Sequence, residues 1–439
     1  MKRHTRQFIL IIAIVLVVPM TFSGCFLGDI GVDNPNYTPT EPTPKLTNPP
    51  TNTPKVTPEP TAEPTPEPTP TVEPTPTPDM LDGAPVLLRY DTEWPENVEF
   101  DLKYDKYSTY PSYFVALKSA NIREKPTTKS KVISGLSFGR RVQLTASVQV
   151  GSKVWYRVQW TRKGKEYTGY MHQATGSPRV FQVDKMIDRA QKLQHTMDSG
   201  NAVFVRNYKN SKGSAPLLNG KTYDKHGYRR YQSAPGYEKP DAESKFRYIP
   251  DGMLGVVQGE EHGYKKVYVP SFDQTVWIPT KYLSKDEDAI EALTQVIVVD
   301  RENQNMGVLE WIDNQWKIVS LTFCSTGKSG QYSLPTPLGD YMAQQRRFKF
   351  QYYHDGTTDI AGYAPYTIRF SAGGYIHGVP RVYKVDEETG EKIDPGMAEA
   401  LSSLGTTPRS HMCVRNYTSH AKFLYNWVDV GSCAVIVIE

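Results

Sequence analysis

In Ser410-His411-Met412-Cys413-Val414-Arg415, read with His377-Gly378 upstream, one thiol lies among groups able to activate it and hold its substrate. The nucleophile is the thiolate, and a neighbouring imidazole draws the thiol pKa down from ~8.5 toward neutrality. His377 and His411 are the two candidate imidazoles. Taken alone, a cysteine near two histidines is equally compatible with a buried, inert thiol. Cys324 and Cys433, on apparent strands among apolar neighbours, read as such core thiols, although export would also permit a disulfide between them. None of the nine histidines forms a zinc-type spacing, so no metal is expected, and no cofactor is expected either.

The start of the chain suggests an address. Lys2, Arg3, His4 and Arg6 precede an apolar run from Phe8 to Phe22, and Ser23-Gly24 stand directly before Cys25. That is the layout of a secretory signal over residues 1–24. A cysteine at the cleavage point resembles a bacterial lipobox, making Cys25 the lipidated first residue, although Phe22 stands where Leu is usual. An uncleaved membrane helix is the alternative, with the run near the short end of the ~17–25 residues needed to span. Residues 25–80 read as a linker, and 16 of the 34 prolines fall within 35–78. A stretch so poor in apolar side chains has nothing to bury, and as polyproline II its 44 residues would reach about 140 Å. The expected localisation is the outer face of the cytoplasmic membrane, lipid-anchored and reaching into the cell wall.

Setting residues 1–24 aside leaves 48 of the 51 basic residues against 47 acidic ones. Near-neutrality argues against nucleic acid as a partner. The fold class reads as mainly β. Tyr is abundant, and short alternating runs are separated by turn residues. Helical spacing is confined to Val183–Asp198, through Met186, Ala190, Leu193 and Met197, to Asp286–Leu293, and to a segment starting near Thr418. His354-Asp355-Gly356 reads as a hairpin tip. His172, His226 and His262 read as surface or barrel residues.

Residues 112–173 carry Ala120-Asn121-Ile122-Arg123, Gly135, Gly139, Trp155-Tyr156-Arg157-Val158 and Gly169-Tyr170-Met171 in order. This series resembles a bacterial SH3 domain, which implies a small barrel with Trp155, Tyr156 and Tyr170 in a groove or in the core. Residues 200–284 repeat parts of the pattern, with Ile249-Pro250-Asp251-Gly252 echoing a barrel turn, and read as a degenerate second copy. Its polar insertion, 207–247, reads by default as a solvated loop able to contact glycan.

From about Leu293 to Glu439 come Cys324-Ser325-Thr326-Gly327, Thr336-Pro337-Leu338-Gly339, His377-Gly378 and the Ser410–Arg415 segment. This order resembles the L,D-transpeptidase (YkuD-like) catalytic domain. The resemblance implies two SH3-like barrels followed by a β-sandwich-like catalytic domain at 293–439. It makes Cys413 the nucleophile, His377 the general base and His411 a support of the cysteine loop. Gly378, Ser410, Met412 and Arg415 become substrate-side residues, with Arg415 toward a carboxylate. Peptidoglycan stem peptides and glycan are the implied partners, joined through a thioester acyl-enzyme. An L,D-carboxypeptidase, a protein acyl acceptor and a non-catalytic tethered wall binder stay open.

Three departures bear on this resemblance. Met412 replaces a glycine and would be strained at positive φ. Asp340-Tyr341 stands where Thr-Phe is common. Residues 378–409 form a long insertion, expected to be an acidic hairpin or lid with a short helix across Met397–Leu404.

Overall fold

The computed structural model describes residues 79–285, 290 and 292–439. The signal and lipidation readings therefore lie outside the described residues. So do the linker reading short of Asp79 and most of the candidate helix at 286–293.

The chain is mostly β, and its organising strand is Gln295–Asp300, buried at every residue. A run without polar alternation must be covered on both faces. It pairs in parallel with Cys433–Ile438 and antiparallel with Asn305–Ile312. Gln315–Phe323 and Phe100–Tyr104 extend one edge of this six-stranded sheet, and Gly339–Met342 the other. Asp313 and Asn314, at φ 54° and 62°, make the two-residue turn between Asn305–Ile312 and Gln315–Phe323.

The two faces of the sheet have different covers. Ile297, Val299, Val435 and Val437 pack with Ile368, Phe370, Ile376 and Val414 of a second sheet, and with Leu424 of the helix Thr418–Trp427. That second sheet runs Gln345–Tyr353, Ile360–Ser371, Gly374–His377, Val414–Arg415. Val296, Val298, Ala434 and Ile436 face the other way, onto Met186, Ala190, Leu193 and Met197 of the helix Val183–Asp198.

The preceding units dock on this sandwich. The first is a nine-stranded sheet between Met80 and Val180, with Phe114, Ile122, Val142, Leu144, Val158 and Met171 as its core. Trp155 and Tyr170 lie in a neighbouring buried cluster, so they are core and not groove. The second is a six-stranded sheet over 201–279. Its polar insertion departs from the expected solvated loop because it closes on itself. Ser233–Tyr237 inside it pairs with Phe246–Pro250 at its end. Buried Asn207 donates to the carbonyls of Gly213 and Ser233, and its side-chain oxygen accepts from the Lys212 amide.

The 378–409 insertion contains the expected hairpin, Lys384–Val385 with Lys392–Ile393. The expected helix at 397–404 is absent: the segment runs in turns between Gly396 and Gly405, at φ 71° and 72°. Outside contacts compete for its backbone. Arg141 donates to the Leu404 carbonyl, and Leu401 and Leu404 pack into the core beneath. Asp340, where the family resemblance leads one to expect Thr, is buried and paired with Arg189 of the long helix at 2.6 Å, so the departure ties sheet to helix.

His420 is fully buried; the Asn416 amide donates to Nδ1 at 2.7 Å, so Nε2 carries the proton toward Ser320 Oγ at 2.8 Å. Burial pushes its pKa from 6.5 down to about 3. Below pH 6.5 the unfolded chain takes up a proton that the folded chain refuses, so stability falls as pH drops from 6.5 toward 3. The urea midpoint should decrease across that window, at up to about 1.4 kcal/mol per pH unit from this group. A His420→Gln variant should lose that part of the slope.

Candidate active site

The parallel pair Gly374–His377 and Val414–Arg415 sets the site. Its register places Ile376 opposite Val414 and His377 opposite Arg415. Because side chains alternate across a strand, Val414 and Ile376 point into the core while Cys413, Arg415, Tyr375 and His377 share the other face. Cys413 and His377 line one cavity and are 7% and 4% exposed, so water is largely excluded from both. His377 Nδ1 lies 2.6 Å from the Gly378 carbonyl; since a carbonyl can only accept, Nδ1 carries the proton and Nε2 is left as the base. The Cys413 thiol points to the Gly373 carbonyl at 3.6 Å.

The loop before Cys413 is held from several sides. Ser410 Oγ donates to the Cys413 carbonyl, and the Ser410 amide donates to Thr326 O at 3.0 Å. Thr336 Oγ1 donates to Met412 O at 2.7 Å and accepts from the Gly327 amide at 2.8 Å. A Cβ on Gly327 would lie 2.2 Å from Leu334 O and 2.8 Å from Met412 Cα, which is why Ser-Thr-Gly ends in glycine. Gly378 is similarly confined, against Thr418 and Pro365. Met412 is absent from the positive-φ residues, so the strain anticipated there does not arise.

His411 is exposed and paired with Asp355 at 2.9 Å, so the hairpin tip at 354–359 closes over the cysteine loop. Asp355 was legible as a turn residue but not as a partner, since 56 residues separate the two. Arg415 lines the cavity with Cys413, and its Nε is buried without a hydrogen-bond partner among the described residues. Burial lowers its pKa, while charge on Cys413 or Tyr352 would raise it. Cys324 and Cys433 are free, fully buried thiols away from this face, with pKa values pushed up by burial. Among the described residues no cluster of His, Cys, Asp or Glu suits a metal, and no helix is long and apolar enough to cross a membrane.

The 201–283 unit supports the site from behind. Its Asp251, fully buried, pairs with Arg369 and accepts from the Ala372 amide at 3.1 Å. Ala372 sits at φ 44° and is followed by Gly373, whose carbonyl meets the thiol. Sequence reasoning had Asp251 only as a barrel-turn residue.

Residues 294–437 match the family model of the L,D-transpeptidase catalytic domain (YkuD), and residues 118–177 that of the bacterial SH3 domain. The chain thus carries a domain of the L,D-transpeptidase catalytic (YkuD) family together with a bacterial SH3 domain. No curated protein matches. Similar solved structures include a fused Zn-dependent amidase/peptidase/peptidoglycan-binding protein from Clostridium acetobutylicum, 17% identical over 33% of this chain and 52% of that one, with a TM-score of 0.22. The chain therefore spans about half the length of that relative. An L,D-transpeptidase from Mycobacterium smegmatis is 16% identical over 42% of this chain and 80% of its own, at 0.26. The Enterococcus faecium L,D-transpeptidase mutant is 15% identical over 64% and 86%, at 0.25. The domain assignment rests on the two family models.

Removing Asp251 leaves the buried Arg369 guanidinium uncompensated, a loss on the order of 3–5 kcal/mol. Urea unfolding of Asp251→Ala should show it, and Asp251→Ala/Arg369→Met should recover part of it. Equal stability of Asp251→Ala and the native chain would refute the strut.

Proposed function

We propose that this protein is a peptidoglycan L,D-transpeptidase working through a Cys413 thioester. The observation that carries the reading is the single-faced arrangement of Cys413, His377 and Arg415 produced by the parallel register. His377 Nε2 takes the thiol proton, and the thiolate attacks the carbonyl of the third, diamino residue of a tetrapeptide stem. The amides of His411 and Met412, which donate to no protein group among the described residues, are free to hold the oxyanion. The tetrahedral intermediate collapses as His377 returns its proton to the departing D-Ala nitrogen. The side-chain amine of a second stem then gives a proton to His377, attacks the thioester and regenerates the thiol. Arg415 favours the thiolate by its charge and offers the D-Ala carboxylate a partner. By family resemblance, carbapenems would acylate the same thiol.

Cys25 would anchor the protein by lipid, with residues 35–78 as a spacer into the wall and residues 200–284 as a second, degenerate barrel of SH3 type.

Incubating the native chain and Cys413→Ala with disaccharide-tetrapeptide, followed by mass spectrometry, tests this reading. A Cys413-dependent dimer lacking one D-Ala is the expected product. Tripeptide alone would establish a carboxypeptidase, and unchanged substrate with saturable wall binding would leave a tethered binder. Arg415→Gln should shift the pH midpoint of Cys413 alkylation upward, because the cation that favours thiolate is gone. An unmoved midpoint would remove Arg415 from that role.

A further inference from the structure

Two cavities meet at Cys413. The larger, about 650 Å³, lies inside the catalytic domain beneath the 354–359 hairpin tip and takes in His377 and Arg415. The smaller, about 310 Å³, includes neither of these groups. One of its walls is the catalytic domain's own, at Leu334–Leu338 and Ser371–Gly373. The other is residues 226–233 of the preceding unit.

The foreign wall is a built structure. Buried Asp224 accepts the amides of His226, Tyr228 and Tyr248 at 2.9, 3.0 and 3.3 Å, fixing the loop on its own unit. Gln232 donates its amide to Asn210 Oδ1 at 2.8 Å, and Ser233 Oγ donates to Arg229 O at 2.6 Å. Tyr228 then reaches across and donates to Leu338 O at 3.1 Å, joining the two walls. Two arginines line the cavity. Arg301 is occupied by Thr336 O and by the Glu439 carboxylate. The exposed Arg229 side chain has no ion-pair or hydrogen-bond partner among the described residues.

The chemistry assigns the cavities. One imidazole protonates the leaving amine and later deprotonates the attacking amine, so both amines occupy the side of the acyl carbonyl that faces His377. That side is the larger cavity, where Arg415 can meet the carboxylate of the departing residue. The rest of the acylating peptide must lie where the amines do not. Resting on the transpeptidase reading of Cys413, we propose that the cavity walled by residues 226–233 is the acyl-donor subsite, built jointly by the catalytic domain and the unit before it. Its occupant is a short anionic peptide, with a carboxylate at Arg229 and its backbone against Tyr231 and the prolines of 335–337.

Calorimetry with disaccharide-tetrapeptide on the full-length Cys413→Ala protein tests the subsite without catalysis. Adding Arg229→Ala or Tyr231→Ala should raise Kd about tenfold, or 1.4 kcal/mol. In the Cys413-containing chain, Arg229→Ala should slow acyl-enzyme formation from the tetrapeptide, seen by intact-protein mass spectrometry without acceptor. Alkylation of the thiol by iodoacetamide, which needs no peptide subsite, should keep its rate. Unchanged Kd in both variants overturns the proposal, as does slowed alkylation, which would mean that the wall acts on the thiol itself. Arg229-dependent binding without any acyl-enzyme would keep the subsite and remove the transpeptidase reading.

Discussion

Everything at the site depends on two short segments, Gly374–His377 and Val414–Arg415, lying side by side in parallel. Parallel neighbours cannot be joined by a tight turn; the chain must leave the sheet and come back over a dozen or more residues. Residues 378–409 supply that return path, at more than twice the length the pairing requires. Its route is fixed along its length. Asp394, its pKa held down at about 2 by Lys349 and Tyr363, pins the midpoint. Glu399 meets Tyr107 and Ser419 further on, and Arg141 takes the Leu404 carbonyl near the end. Each anchor limits where Cys413 re-enters beside His377.

Those anchors come partly from outside the catalytic domain, and that changes what the preceding units are. A tethering module needs only a linker, and its removal would leave the enzyme intact. Here a single hydrophobic cluster includes Val205, Ile249 and Met253 of the 201–283 unit together with Tyr341, Phe370 and Ile376. A second joins Tyr113, just ahead of the SH3 domain, to Phe323 and Ile318. Cutting the chain at 293 would expose both surfaces and unpair Arg369, so the units behave as parts of one folded body.

What the sequence made legible followed local rules. The helix Val183–Asp198 was readable because Met186, Ala190, Leu193 and Met197 repeat at helical spacing and, among the described residues, no distant group bonds its backbone. Short range also explains the turn at His354-Asp355-Gly356. The helix anticipated at 397–404 failed for the converse reason, since Arg141 and the core beneath claim that backbone. Asp251 with Arg369, Tyr228 with Leu338, and Asp355 with His411 were illegible because sequence shows no proximity across 118, 110 and 56 residues. The polar insertion misled for a related reason: its Asn and Asp side chains bond their own backbone, which composition alone reads as hydration.

A buried ion pair is weak evidence for stability, because desolvation offsets much of the attraction. Asp251–Arg369 is better understood through what else the carboxylate holds. Besides the guanidinium it accepts from the Gln344 side chain and from the Ala372 amide. Ala372 lies at φ 44°, a conformation that a non-glycine residue keeps only when its surroundings insist. An apolar pair of equal volume would pack the same space and leave that amide unheld. The charge therefore serves to fix the 371–374 turn, and with it the Gly373 carbonyl facing Cys413, at a position the catalytic domain alone does not enforce.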